Sequence, residues 1–198
     1  MASVKSLCVF CGASDAVGET YRGAATRLGA ILAEARIELV FGGGRIGLMG
    51  LIASAVAAGG GKVTGIIPRH LHRAEIGDRP PLGELQVVAT MHERKALMFD
   101  RADAFAVLPG GLGTLDETFE VLTWKQLGLH DKPVVLIDVA GYWAPLLKLI
   151  EAVIAAGFAP ASSRTLFRTV AGPEELLPLL RSLPKPATKP AGRFPGEP

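Results

Sequence analysis

Short runs rich in strand-forming residues alternate along this chain with longer segments whose apolar positions recur every three or four residues. The pattern predicts strands at Ser6–Phe10, Ile37–Phe41, Lys62–Ile67, Leu85–Ala89, Ala104–Leu108 and Pro133–Asp138, with a weaker one at Leu166–Val170. Most are apolar throughout rather than alternating, as strands covered on both faces are. Helices are predicted at Glu19–Ala35, Ile46–Ala58, His92–Arg101, Thr114–Leu127, Trp143–Ala156 and Pro173–Leu183. Right-handed crossovers then place helices on both faces of one twisted parallel sheet. The expected fold is a single Rossmann-like, doubly wound α/β domain over residues 1–183. Two stretches break the rhythm. Pro68–Gly83 joins two strands without a convincing helix and carries Arg69, His70, His72, Arg73, Glu75, Asp78 and Arg79. A loop that long in a compact domain is often functional. The Pro- and Gly-rich stretch 184–198 is expected to be disordered.

Composition narrows the function classes. A chain of 198 residues suits one well-buried domain. Its formal net charge of +2, without a Lys/Arg block, gives no sign of a nucleic-acid partner. The apolar run Leu7–Phe10 is soon interrupted by Gly12, Ser14 and Asp15, too short for a signal-peptide core. Even the apolar stretch Ala144–Phe158 contains Lys148 and Glu151, so no membrane span is expected, and the protein reads as cytoplasmic. Cys8 and Cys11 spell C-x-x-C, but in an extended run positions i and i+3 point to opposite faces. With no second cysteine pair and no ligand spacing among four histidines, packing or site-wall roles are expected and no metal site.

Two glycine loops carry the chemistry. The first, Gly42-Gly43-Gly44-Arg45-Ile46-Gly47, joins a strand to a helix start, where bare backbone and free N–H groups receive an anion. The competing reading is a tight turn with close helix–sheet packing. Gly42-x-Gly44-x-x-Gly47 also spells the dinucleotide fingerprint, but it follows the second strand, and the next strand ends without the acidic ribose partner. Arg69 there suits a 2′-phosphate, which keeps NADP as a minor alternative. The second loop, Pro109-Gly110-Gly111-Leu112-Gly113-Thr114, again meets a helix start, and parallel topology puts both loops on the carboxyl edge of the sheet. No Gly-Lys-Ser/Thr follows either loop, so neither is a standard P-loop.

Thr114-x-x-Glu117 reads locally as a capping box. A carboxylate in a helix's first turn has its pKa lowered by the dipole, which favours an ionised Glu117 suited to accepting protons. Arg94 and Lys95 also start a helix on this edge. Adjacent charges are usually a solvated face, yet cations at a helix N-terminus oppose its dipole. Their placement beside two anion-receptive loops therefore favours phosphate or base binding.

With these residues in view, the chain resembles the Lonely guy (LOG) family of cytokinin-activating nucleoside 5′-monophosphate phosphoribohydrolases. The resemblance covers about Ser6 to Leu183 and rests on Met91-x-x-Arg94-Lys95 and Pro109-Gly110-Gly111-x-Gly113-Thr114-x-x-Glu117. Supporting stretches are Cys8-Val9-Phe10-Cys11-Gly12, Gly42-Gly43-Gly44-x-Ile46-Gly47-Leu48-Met49-Gly50 and Thr123-Trp124-x-Gln126-Leu127-Gly128. It implies a Rossmann-like fold, a homodimer or larger assembly, no cofactor, and release of free base from a nucleoside monophosphate such as AMP or N6-substituted AMP. It also implies Arg94 and Glu117 as the catalytic pair. Glu75, Met91, Lys95, Gly110, Gly111, Gly113, Thr114, Thr123, Gly12, Gly43 and Gly44 would contact the nucleotide. The chain departs from the pattern at Leu112, where an aromatic residue is common, and in a slightly longer Glu75–Gly83 stretch.

Relatives of this kind are sometimes labelled lysine decarboxylases, which generally use pyridoxal phosphate on a Schiff-base lysine. None of Lys62, Lys95, Lys125, Lys132 and Lys148 stands in an evident cofactor-lysine setting. Glycosidic cleavage builds positive charge on the ribose, which a carboxylate at Glu117 would stabilise. Arg94 would hold ribose or phosphate, or assist the departing base. A carrier of the same fold, like the molybdenum-cofactor carriers, needs no such pair, and an NADP-dependent oxidoreductase ranks third.

Overall fold

The protein is described here by a computed structural model covering residues 4–184. Seven strands form one parallel sheet: β1 (Ser6–Phe10), β2 (Glu38–Phe41), β3 (Val63–Pro68), β4 (Glu84–Val88), β5 (Ala104–Val107), β6 (Val134–Ile137) and β7 (Arg168–Val170). Between and after them run α1 (Glu19–Glu34), α2 (Gly47–Ala58), α3 (Arg69–Glu75), α4 (Met91–Arg101), α5 (Leu112–Gln126), α6 (Ala144–Ala155) and α7 (Leu176–Ser182). The spatial order β4-β3-β2-β1-β5-β6-β7 reverses direction at β1, which pairs in parallel with both β2 and β5. This is the doubly wound, Rossmann-like arrangement, and the reversal point is where such sheets open a ligand crevice beyond the strand ends.

Strand pleating divides the core in two. Leu7, Val9 and Cys11 face a cluster with Leu28, Ile52 and Leu176, from α1, α2 and α7. Cys8 and Phe10 face the opposite cluster with Met98, Val121 and Leu146, from α4, α5 and α6. The two cysteines are buried free thiols in different layers, as the extended spacing requires.

The strand expectations hold to within one or two residues. Two helical expectations need correction. The segment 69–75 is helical although it buries none of its residues, so it carries no apolar stripe for periodicity to detect. Ile76, 4% exposed, anchors the end of this short helix. The helix α5 begins at Leu112, with Gly111 as its N-cap, so Thr114 lies inside the first turn and cannot cap it. A side-chain cap does occur at α4, where Thr90 Oγ1 accepts from Glu93 N at 3.1 Å and Glu93 Oε2 accepts from Ala89 N at 2.8 Å. The stretch expected to be disordered lies, except for Pro184, outside the described residues. No described helix is long and apolar enough to cross a membrane.

Candidate active site

At the carboxyl edge, the loops after β1, β2, β5 and β6 are tied together by backbone and side-chain bonds. Gly12 N donates to Pro109 O at 3.0 Å, and Leu48 N donates to Gly12 O at 2.9 Å. Gly47 N donates to the Asp15 carboxylate at 2.8 Å, and Gly50 N returns to Ile46 O. The start of α2 is therefore largely satisfied by protein groups. The Asp15 carboxylate occupies the place where an anionic ligand would sit on the dipole.

The first glycine loop instead makes room for side chains. A Cβ on Gly42 would fall on the guanidinium of Arg94, and one on Gly44 would lie 2.8 Å from Glu75 Oε2. Gly43 adopts φ +79°, in the left-handed region that favours glycine. The competing reading of this loop, close packing at a tight turn, thus accounts for Gly43 and Gly44 as well as for Gly42. The second loop differs. Gly110 must lack a side chain because Thr114, only 4% exposed, packs against it, whereas Cβ atoms on Gly111 and Gly113 would meet nothing. Among the described residues, no protein acceptor meets the N–H groups of Gly111, Leu112 and Gly113. The N-terminus of α5 is the open anion-receptive end on this edge.

Arg94 lies in the first turn of α4, with 6% of its surface exposed. Its Nη2 donates to Gly42 O at 3.0 Å and its Nη1 contacts Met91 Sδ at 3.8 Å, while Nε has no partner. The solvated-face reading fails for this residue. Glu75 and Glu117 lie in its field, yet neither is within salt-bridge distance among the described residues. Burial raises the Glu75 carboxyl pKa against the pull of Arg94 and His70, and its Oε2 is buried without a partner.

Burial likewise pushes Glu117 from the ordinary 4.5 up to about 7, opposed by Arg94 and Lys95 and reinforced by Asp116 and Glu120. The expectation of a dipole-lowered pKa is overturned. Glu117 stands past the first turn, where the dipole effect has faded, and desolvation dominates. Lys95 directs its ammonium to Glu120 at 2.9 Å and Asp116 at 3.2 Å. Burial lowers its pKa, but these two carboxylates outweigh burial and hold it above the usual value.

Arg94, Met91, Glu75, Glu117 and the glycine loops therefore meet at one edge. Thr123 does not join them. It lines an apolar groove of about 210 Å³ between α5 and α6, with Phe119, Leu122, Leu149 and Val153. Two contributors gave no signal in sequence, Asp15 and Tyr142, whose hydroxyl donates to Gly110 O at 2.7 Å. Each acts on a residue 32 positions away, beyond the reach of any local pattern. No group of three or more potential metal ligands occurs among the described residues.

The parallel sheet and its reversal at β1 define the class, an α/β protein of Rossmann-like design. A solved molybdenum cofactor binding protein from Rippkaea orientalis shares this fold, with a TM-score of 0.68 at 21% identity, covering 92% of this chain and 98% of that one. The family model described as "Possible lysine decarboxylase" matches residues 49–180. The cytokinin riboside 5′-monophosphate phosphoribohydrolase LOG7 of Arabidopsis thaliana is 47% identical over 173 residues, 87% of this chain and 79% of its own. LOG5 of the same plant is 48% identical over 178 residues, 90% and 78% of the two chains. The chain belongs to this LOG family.

Four of the lysines weighed against the decarboxylase wording of the family model are engaged by protein groups. Lys62 pairs with Glu38, Lys95 with two carboxylates, Lys125 Nζ donates to Lys132 O, and Lys132 Nζ donates to Phe99 O.

Proposed function

We propose that this protein hydrolyses the N-glycosidic bond of adenine-type nucleoside 5′-monophosphates, including N6-substituted ones, releasing free base and ribose 5-phosphate. The observation that carries the reading is a buried guanidinium, Arg94, held beside two carboxyl groups, Glu75 and Glu117, without closing a salt bridge on either. A buried guanidinium whose Nε lacks a partner costs stability unless a ligand completes it. The adjacent N-terminus of α5 supplies the seat for the 5′-phosphate through Gly111, Leu112 and Gly113 N–H groups. Gly110 and Thr114 give that turn its shape.

In the reaction, the C1′–N bond breaks and its electron pair leaves with the base nitrogen. Water forms the new C1′–O bond, and the proton it sheds ends on the departed base. Ionised Glu117 stabilises the positive ribose and accepts the water proton, a task matched to a pKa of about 7. Glu75, with its unpartnered Oε2, suits a ribose hydroxyl, and the free Nε of Arg94 suits the same sugar or the base. Phosphate binding remote from the bond positions C1′ against these groups. No metal or organic cofactor enters this scheme.

The protein is further proposed to work as a homodimer or larger assembly. The α5–α6 groove supports this, since Phe119, Leu149 and Val153 are exposed around it. Incubation with AMP and with isopentenyl-AMP, followed by chromatography, should release the free base from at least one. Absence of base from both overturns the reading.

A further inference from the structure

The connection from β6 to α6 contains a strained turn with no role in the chemistry above. Ala140 adopts φ 53°, ψ 30°, a left-handed conformation that a non-glycine residue disfavours. Gly141 follows at φ 72°. The turn is locked around Asp138, whose carboxylate accepts from Trp143 N at 2.6 Å and whose carbonyl accepts from Gly141 N at 3.2 Å. Its product is a single exposed ring. Tyr142 stands edge-on to buried Trp143, with centroids 4.9 Å apart, and to Tyr21 at 5.7 Å.

The Tyr142 hydroxyl donates to Gly110 O at 2.7 Å, the one side-chain hydrogen bond to the Pro109–Gly111 backbone among the described residues. A planar trans peptide points its C=O and N–H in opposite directions. Fixing the Gly110 carbonyl on the tyrosine therefore aims the Gly111 N–H away from it. Gly111 N is one of the open donors at the start of α5. The restraint is needed because a peptide flanked by two glycines is the freest kind to rotate. The preceding carbonyl, Pro109 O, is already held by Gly12 N. Two consecutive carbonyls are thus tied down by separate loops. If the second were released, the peptide could turn its carbonyl toward the phosphate seat, where it would repel an anion.

We infer that Tyr142 is a positioning residue: through Gly110 it holds the Gly110–Gly111 peptide with its N–H presented to the substrate's 5′-phosphate. The inference rests on the phosphate seat proposed above. Tyr142→Phe removes the hydroxyl and keeps both ring contacts. Melting temperature should be unchanged within about 2 °C, while KM for AMP and the inhibition constants of inorganic phosphate and ribose 5-phosphate should rise together. The common factor should be about three- to ten-fold, the worth of one neutral hydrogen bond. Inhibition by free adenine should not change. Equal AMP and phosphate affinities in the variant and an active wild type overturn the tyrosine's role and leave the hydrolase reading standing. A rise for adenine as large as for phosphate also overturns it, since the effect would then not be specific to the phosphate. A wild type that neither cleaves AMP nor responds to phosphate removes both.

Discussion

Glu117→Gln separates a catalytic carboxylate from a structural one, because the two readings predict opposite changes in stability. Gln keeps the shape and removes the charge. In wild type the folded carboxyl is pushed to about 7, above the ordinary 4.5. Below 4.5 the folded and unfolded states both hold the proton, so the residue contributes nothing. Between 4.5 and 7 only the folded state holds it, so stability falls as pH rises, and above 7 the full cost is present. At about 1.4 kcal/mol per pH unit, the gap caps that cost at about 3 kcal/mol. Solvent reaching this partly buried side chain reduces the expected cost to about 1–2 kcal/mol. The Gln variant should therefore melt about 2–6 °C higher than wild type at pH 8 and no higher near pH 4.5. Its turnover of AMP should drop about 100-fold, the loss of roughly 3 kcal/mol of charge stabilisation. Paired thermal melts across pH and chromatographic rates would test both. Retention of more than about a third of wild-type turnover, a loss under 1 kcal/mol, refutes the catalytic assignment. A variant less stable than wild type at pH 8 refutes the desolvation argument.

Wild-type kcat/KM should rise with pH through about 7 as Glu117 ionises, on top of a limb near pH 6 from the substrate phosphate. Only the phosphate limb should remain in the residual activity of Glu117→Gln. Gly42→Ala drives a methyl into the seat of Arg94 and should lower turnover on the order of 100-fold, as a small misplacement of a catalytic group does, while circular dichroism shows the fold kept. NADP and NAD should show no low-micromolar binding by calorimetry, because the start of α2 is occupied by Asp15. Light scattering at micromolar concentration should show a dimer or larger species, and a monomer alone would count against the role given to the α5–α6 groove.

The inner strands are legible because burial on both faces makes them nearly continuously apolar, while the edge strands β4 and β7 are partly exposed and read more weakly. Helix α3 is not legible, since a helix that buries nothing has no periodicity to read. The start of α5 is obscured for a different reason. Gly113 and the exposed Leu112 look like loop, and Thr114-x-x-Glu117 imitates a cap, while the side-chain cap among these helices forms at α4 through Thr90 and Glu93. Motif spacing picks out Arg94 and Glu117, and the structure brings both to one edge, but a local account of Glu117 fails because its titration is set by burial against distant chain. Local sequence reports caps and dipoles and is silent on which side chains a fold will desolvate.

The two glycine loops show why such motifs need their surroundings before they can be assigned. Both lead from a strand to a helix on the same edge, and either alone would pass as a phosphate cradle. At α2, the helix start is closed by Asp15 and Gly12, so the glycines there create space, above all for the Arg94 guanidinium on Gly42. At α5, the protein withholds acceptors from the N–H groups and ties the loop carbonyls down, with Gly12 on Pro109 and Tyr142 on Gly110. One loop thus places a cation and the other presents donors. The resulting unpaired groups, Arg94 Nε and Glu75 Oε2, would be defects in a core. Beside an open helix N-terminus they are instead what the proposed hydrolase needs, donors and acceptors left for an anionic, hydroxyl-bearing ligand rather than an apolar one.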